Sequence, residues 1–397
     1  MIRSPSRIAL VSSHYPPTIG GLERHVAGLA ATLAKRDVEV EVIAPEAVRP
    51  PAAPREAKTG EDHVVTVRRF AVVPSAGRFL LSPALWLYLR RSLGRYDLIH
   101  VHNSHAFPFL AGTLSGSRPL VVTPLYHGGG HTIASRLLER PHRRLAKTVL
   151  YRATSVICIS DAEARLVADH FPGAAGKIEV VHSGLDVDVL RPDEPSDRAP
   201  LVVTVGRLER YKRVELVLEA MQFMPIEWRL AVIGDGRDRK RLEQLSLSMG
   251  LGQRVSFIGP VSDESLRGWL RSARAFVTMS EREAFGLALA EAAVAGAALF
   301  ASDIPPHREV VKLLHPERHQ LLPAHTGPET LARAIGRTAA QSANGNVRLD
   351  LSWDRMADAT LEVYERALRT SMPSSHPGGW PNRERLGRHE PSAVTRP

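Results

Sequence analysis

Short runs of consecutive apolar, β-branched residues recur along the chain, and between them lie stretches with apolar positions every three or four residues. The first kind predicts buried strands and the second amphipathic helices. In the first half the strand pattern falls on "RIALVSS", "VEVEVIAP", "HVVTVRRF", "DLIHVHN", "LVVTPLY", "SVICIS" and "IEVVHSG". Helices are predicted between several of them, over Leu22 to Lys35 and Asp161 to His170 for example. After the polar, proline-bearing "RPDEPSDRAP" a second series opens with "LVVTVGRL", "RLAVIGDG", "RVSFIGPV", "AFVTMS" and "AALFASD". Continuous apolar strands alternating with helices imply parallel sheets covered on both faces. Two such series around a linker imply two doubly wound α/β domains, with ligands expected in a cleft beyond the carboxyl ends of the strands. A last amphipathic helix, "SWDRMADATLEVYERAL", precedes a Pro-, Gly- and Arg-rich stretch with few core formers, which predicts a disordered tail.

Composition changes this picture little. The 397 residues exceed one ordinary core, and 44% hydrophobic with 24% charged residues is a globular balance. No run approaches the roughly 18 apolar residues of a membrane span. The start of the chain has no signal region of adequate length. One cysteine, Cys158, excludes internal disulfides, so the cytoplasm is the expected compartment. The net charge of +10 attracts anions. Because no basic run is interleaved with aromatics, nucleic acid is not an expected partner.

The candidate chemistry sits where predicted strands end. Gly20 and Gly21 precede the first helix; such a pair either admits a phosphate to the helix N-terminus or makes a tight turn. Arg207 and Lys212 follow the first strand of the second series, and two cations there either clamp a diphosphate or line a solvated loop. Ile258 and Val261, at the end of "FIGPV", bring backbone to where a nucleobase would lie. In "SEREAFGLALAEA" Glu283 precedes a helix predicted to start near Phe285, Glu291 lies inside it, and the amides of Phe285, Gly286 and Leu287 point into the cleft. "DVD" at Asp186 to Asp188 sits between the two series and reads as structural. The histidines form no convincing ligand set, so neither metal nor cofactor is expected. "SRLLERPHRRLAKTVLYRAT", residues 135–154, carries six basic residues among leucines. It predicts either a basic amphipathic face resting on anionic lipid at the inner membrane surface or a helix packed on the first sheet.

In order, "GGLERH", "DLIHVHN", "VICISDAEARLV", "VVHSGLDVDVLRP", "GRLERYK", "VIGDG", "FIGPV", "EREAFGLALAEAAVAG" and "SW…VYERAL" make the chain resemble the family-4 retaining glycosyltransferases of the GT-B fold. The resemblance covers nearly the whole chain before the tail. It implies an N-terminal acceptor domain (1–187), a C-terminal sugar-nucleotide domain (188–352), a helix crossing back (353–371) and the tail (372–397). The implied reaction moves a hexose from a nucleoside diphosphate sugar, GDP-mannose being favoured, to a glycan, lipid-linked or small-molecule acceptor. An epimerase or an inactive sugar-nucleotide-binding protein of the same fold is the alternative. Carried over by residue, Gly21, Arg207 and Lys212 bind the diphosphate and Glu291 the ribose. Glu283 and the Phe285, Gly286 and Leu287 amides hold the donor sugar, and His127 is the active-site histidine. The chain departs from the family at Ser183, where Asn is common, and at Ile304, Pro305 and Pro306, where a glycine pair is common. Glu309 keeps the acidic position there.

Overall fold

The computed structural model describes residues 5–46, 55–58, 64–73, 82–103, 116, 118–128, 144–191, 198–314, 318–339 and 351–371. The first series runs β1 (Arg7–Val11), α1 (Gly21–Ala34), β2 (Glu39–Glu46), β3 (Arg55–Lys58), β4 (Val64–Ala71), α2 (Pro83–Ser92), β5 (Leu98–His102) and β6 (Leu120–Thr123). It continues with α3 (144–152), β7 (Ser155–Cys158), α4 (Asp161–His170) and β8 (Ile178–Val180). These strands form an eight-stranded sheet of order β3-β4-β2-β1-β5-β6-β7-β8, parallel except for the β3–β4 pair.

The second series runs α5 (Val187–Leu190), β9 (Leu201–Val205), α6 (Val214–Met221), β10 (Arg229–Ile233), α7 (Arg239–Ser248), β11 (Val255–Gly259), α8 (Asp263–Ser272) and β12 (Ala275–Thr278). It closes with α9 (Leu287–Val294), β13 (Ala298–Ser302), α10 (Pro305–Leu314), β14 (His319–Leu322), α11 (Pro328–Ala339) and α12 (Trp353–Ser371). Its six strands are all parallel, in the order β11-β10-β9-β12-β13-β14. The fold class is therefore two Rossmann-like sheets. Each places its first strand at the switch point, with β1 between β2 and β5, and β9 between β10 and β12. Loops leaving those two strands diverge from their neighbours and open a crevice.

The strands are shorter at their carboxyl ends than the apolar runs suggest: "RIALVSS" pairs only through Val11 and "LVVTPLY" only through Thr123. Beyond the ladders Ser12 and Ser13 are fully buried, and Tyr126 joins the core around Phe171. β3 and β14 were not predicted, because "REAK" and "HQLL" lack an apolar run; they form at sheet edges, where one neighbour suffices.

α12 packs on the first sheet's core, burying Met356, Ala357, Val363, Tyr364 and Ala367 with Ile8, Leu10 and Leu29. Its Trp353 ring is seated over two glycines, since a Cβ at Gly28 or Gly184 would lie 2.5 or 2.3 Å from it. Asp186 accepts a hydrogen bond from the Trp353 indole at 2.8 Å, so the "DVD" carboxylate anchors this helix. Among the described residues no helix is long and apolar enough to cross a membrane. Of the basic stretch 135–154, residues 135–143 lie outside the described residues, as does the tail from 372. In α3 Ala146, Val149 and Leu150 are buried while Arg144, Leu145 and Lys147 are exposed.

Candidate functional site

The first glycine pair ends at an α1 that begins with Gly21 itself, its backbone meeting the start of α9 across the cleft. A Cβ on Gly21 would lie 3.4 Å from Leu287 Cδ1. Two helix N-termini of opposite domains therefore face the same space, and both favour negative charge there.

On the C-terminal side the loop after β9 supplies the cations. Gly206 has a φ of +151° and Gly234, on the adjacent loop, one of +122°. A Cβ on Gly234 would sit 2.1 Å from the Gly206 carbonyl, so only glycine lets the two loops close on each other. The turn at Arg210–Lys212 then sends Lys212 back under the strand ends, where with Gly206, Arg207 and Thr278 it lines a small cavity. Lys212 Nζ donates to Glu283 Oε1 at 2.5 Å. Burial alone would raise the Glu283 carboxyl, but Lys212, His307 and the Ser280 hydroxyl outweigh it and hold the group below the usual glutamate range. Lys212 is in turn shifted upward: burial opposes its charge and Glu283 more than restores it. Both groups are thus charged at neutral pH. Arg207 is exposed at the cleft, and its charge reaches His14 and Glu23 of the other domain.

The helix after Glu283 starts later than expected. Its first residue is Leu287, with Gly286 as N-cap at φ +107°, a left-handed conformation that breaks the helix before it. Phe285 is 1% exposed and packs its ring into the second domain's core, 5.8 Å from His182. The Phe285 and Gly286 amides therefore belong to a turn leading into the helix, and only the Leu287 amide to its first turn. Glu291 lies one turn inside α9 and is 8% exposed. Its Oε1 accepts from Arg24 Nη1 of α1, and its Oε2 is buried without a hydrogen-bond partner among the described residues. Ile258 and Val261 are partly buried against the core around Phe276 and Leu289, so their side chains serve packing.

His127 follows β6 and Leu125, which has a φ of +49°. Its ring stacks on Tyr211 of the opposite domain at 6.2 Å and 24°. Burial lowers it to about 4; Glu283 works against this and Arg207 and Arg282 reinforce it, so the imidazole is neutral at physiological pH. The structure thereby brings Gly21, His127, Arg207, Lys212, Glu283, Leu287 and Glu291 around one cleft. Glu309 is engaged elsewhere: it accepts from the Asp161 and Ala162 amides at 2.8 and 2.9 Å and from His182, capping α4 of the first domain. Ser183 is buried and shares a hydrogen bond of 2.7 Å with His25 of α1.

Several cleft residues escaped the sequence reading. Glu23 and Arg24 were visible only as part of "GGLERH", and Tyr211 as an aromatic between two cations. Glu163 caps two amides, those of Ile159 and Tyr126, and so fixes the strand end that carries His127. Burial raises its carboxyl to about 8, against the help of those amides. The "S-x-x-E" spacing from Ser160 was the available signal, since Ser160 Oγ accepts from the Glu163 amide at 2.9 Å.

Comparison with known proteins agrees with this architecture. Residues 19–189 match the model described as Glycosyltransferase Family 4, and residues 186–344 that described as Glycosyl transferases group 1. Among curated proteins, a D-inositol 3-phosphate glycosyltransferase of Xylanimonas cellulosilytica is 26% identical, the match covering 91% of this chain and 97% of that one. A GDP-mannose:cellobiosyl-diphosphopolyprenol alpha-mannosyltransferase of Komagataeibacter xylinus is 25% identical over 93% and 95%. Among solved structures, sucrose-phosphate synthase from Thermosynechococcus elongatus has a TM-score of 0.67 at 23% identity, covering 92% and 97%. Anabaena HepE, solved with UDP-glucose, has a TM-score of 0.64 at 20% identity, covering 92% and 96%. With two facing Rossmann-like domains, and family matches spanning both, this chain is a glycosyltransferase of the GT-B fold and belongs to family 4.

Proposed function

We propose that the enzyme is a retaining hexosyltransferase that moves a hexose from a nucleoside diphosphate sugar to a hydroxyl of a glycan, lipid-linked or small-molecule acceptor. One arrangement carries the reading: Lys212 and Glu283 leave the neighbouring strands β9 and β12, pair at 2.5 Å, and lie beside Arg207 and the start of α9. Anion-binding cations and a sugar-binding carboxylate thus share one water-poor corner, as a diphosphate joined to a hexose requires. In the reaction the bond from the anomeric carbon to the diphosphate oxygen breaks. The new bond to the acceptor oxygen forms on the same face, and the acceptor proton passes to the leaving diphosphate. Charge grows on that diphosphate, where Arg207 and Lys212 lie; Gly21 offers its amide from the opposite domain. Glu283 orients the sugar hydroxyls, and neutral His127 exchanges a hydrogen bond with the sugar without adding charge.

Mannose from GDP-mannose is the favoured donor, by likeness to the Komagataeibacter mannosyltransferase; UDP-glucose, the ligand of HepE, is the first competitor. The test is a panel of sugar nucleotides scored by thermal shift and slow hydrolysis, with the anomeric configuration of the released sugar or product read by NMR. Retained configuration is expected, and Lys212→Ala should lose about 10²-fold in kcat, the scale of one preorganised donor. Inverted product, or sugar-nucleotide binding unaffected by Lys212→Ala, overturns the reading. Isomerised sugar nucleotide without transfer overturns it in favour of an epimerase.

A further inference from the structure

Helix α1 begins at Gly21 and helix α9 at Leu287, and the two starts meet across the cleft. Side chains one turn in from each start, three residues along α1 and four along α9, therefore face each other. These are Arg24 and Glu291. Arg24 Nη1 donates to Glu291 Oε1, and its Nε lies 3.9 Å from Asp263 Oδ1 at the head of α8. The ion pair uses one carboxylate oxygen only. Oε2, equally buried, has no hydrogen-bond partner among the described residues. A buried carboxylate oxygen left without a donor is costly, and its persistence beside a ligand cleft points to a donor that arrives with the ligand.

We propose that Arg24 is a positioning residue of the nucleotide site: it turns the Glu291 carboxylate so that Oε2 meets a vicinal diol of the nucleoside, making ribose recognition a property of both domains together. The proposal rests on the sugar-nucleotide reading above. The charges around Glu291 agree with it. Burial raises the Glu291 carboxyl, Asp263 and Asp186 push the same way, and Arg24 is the cation that opposes them. Arg24 is correspondingly shifted upward by Glu291, Asp263 and Asp186 against its own burial. Without Arg24, Glu291 would face Asp263 of α8 and Asp186 before α5, of which Asp186 keeps Arg267 at 3.7 Å while Glu291 is left without its own cation. A diol donates most strongly to an ionised acceptor, so the arginine both aims and charges the group. Because α1 carries Arg24 and Gly21 alike, one movement of the first domain delivers the diphosphate amide and completes the ribose site.

The experiment is calorimetric titration of the full-length protein with UDP, GDP and ADP, then with the 2′-deoxy form of whichever binds best. Wild type should prefer the ribonucleotide. Arg24→Gln should bind it at least about thirtyfold more weakly, the low end of what breaking a buried interfacial charge pair costs. It should also lose most of the preference over the deoxy form. On acidification its binding should fall at a higher pH than that of wild type, as Glu291 without its cation takes up a proton more readily. Arg24→Lys should restore part of the affinity, and Glu291→Gln combined with Arg24→Gln should lose no more than Glu291→Gln alone. An unchanged ribose preference and pH profile in Arg24→Gln overturns the proposal. Tighter binding by Arg24→Gln also overturns it, since Arg24 would then compete with the nucleotide for Glu291. Wild type binding none of the three diphosphates defeats the transferase reading itself, a result separate from any failure of Arg24.

Discussion

The two domains share a fold but keep their polar groups in different places. In the second, the sheet core around Val202, Val232 and Phe300 is apolar; Glu291 lies at the cleft, Glu309 holds the α4 amides, Asp238 pairs with Arg241, and Arg254 donates to the Trp228, Met224 and Pro225 carbonyls. In the first, ionisable groups penetrate the core. His100 bridges Thr123 and Tyr364 at 2.8 and 2.7 Å, His102 stacks on it at 4.0 Å, and His25 holds Ser183. On the outer side of the same sheet Glu41 gathers Arg68, Tyr88 and Tyr96. The C-terminal sheet core thus carries no ionisable group among its buried strand residues, and its paired Lys212 and Glu283 stand at the cleft. The N-terminal domain uses titratable groups for its own cohesion, including the attachment of α12, and its stability should follow pH more steeply than the other's.

The largest test of that contrast is acidification. Burial lowers His25 to about 4 and holds His100 and His102 well below 6.5. The unfolded chain therefore binds more protons below pH 6.5, and stability falls as pH drops from there towards 4. At pH 5 the His25 imidazole alone costs about 2 kcal/mol, the linkage value for about 1.5 pH units, and His100 and His102 act in the same direction. Glu163, raised to about 8 in the fold, works oppositely and returns about one such increment over the same interval. Urea unfolding followed through Trp353 for the first domain and Trp228 for the second should show the first transition weaken more than the second, where lowered Glu283, Glu309 and His307 act in the same direction on fewer buried groups. Parallel loss in both domains would break the comparison.

A smaller effect should come from Gly184→Ala. Its Cβ would meet the Trp353 ring at 2.3 Å and the Trp353 Cα at 2.8 Å, so α12 must shift off the first sheet. A cost of about 3 kcal/mol, the upper part of the overpacking range, is expected in the first transition, measured by the same unfolding curves. A stability unchanged within error would mean that α12 is not held by this seat. Tyr364→Phe is the mildest: it leaves His100 Nδ1 buried without the hydroxyl, at about 1–2 kcal/mol. It should also leave nucleotide affinity alone, and a matching loss of affinity would show that the two regions are coupled through α12.

Much of the cleft could be read from the chain because its residues follow strand ends. Arg207, Lys212, Glu283 and His127 each stand just beyond an apolar run, and parallel sheets gather such positions on one edge. The start of α9 was misjudged because apolar residues from Phe285 onward fit helical spacing, whereas the left-handed Gly286 delays the helix to Leu287. Glu309 matched a motif position, yet its partners are α4 amides from the other domain, which no local pattern can indicate. Arg24 sat within a quoted motif without a role for the same reason.

What the sequence by itself determined is local: strand and helix periods, the two series, and the residue types placed where strands give way to loops. These depend on neighbours within a few positions, where periodicity and turn chemistry act. The tertiary structure alone decided which charges meet. Lys212 and Glu283 are 71 residues apart and Arg24 and Glu291 are 267 apart. Whether a carboxylate faces a cation, an amide or a free space in the cleft depends on how two separately wound sheets approach, and Coulomb and hydrogen-bond energies are settled within a few ångströms at that meeting.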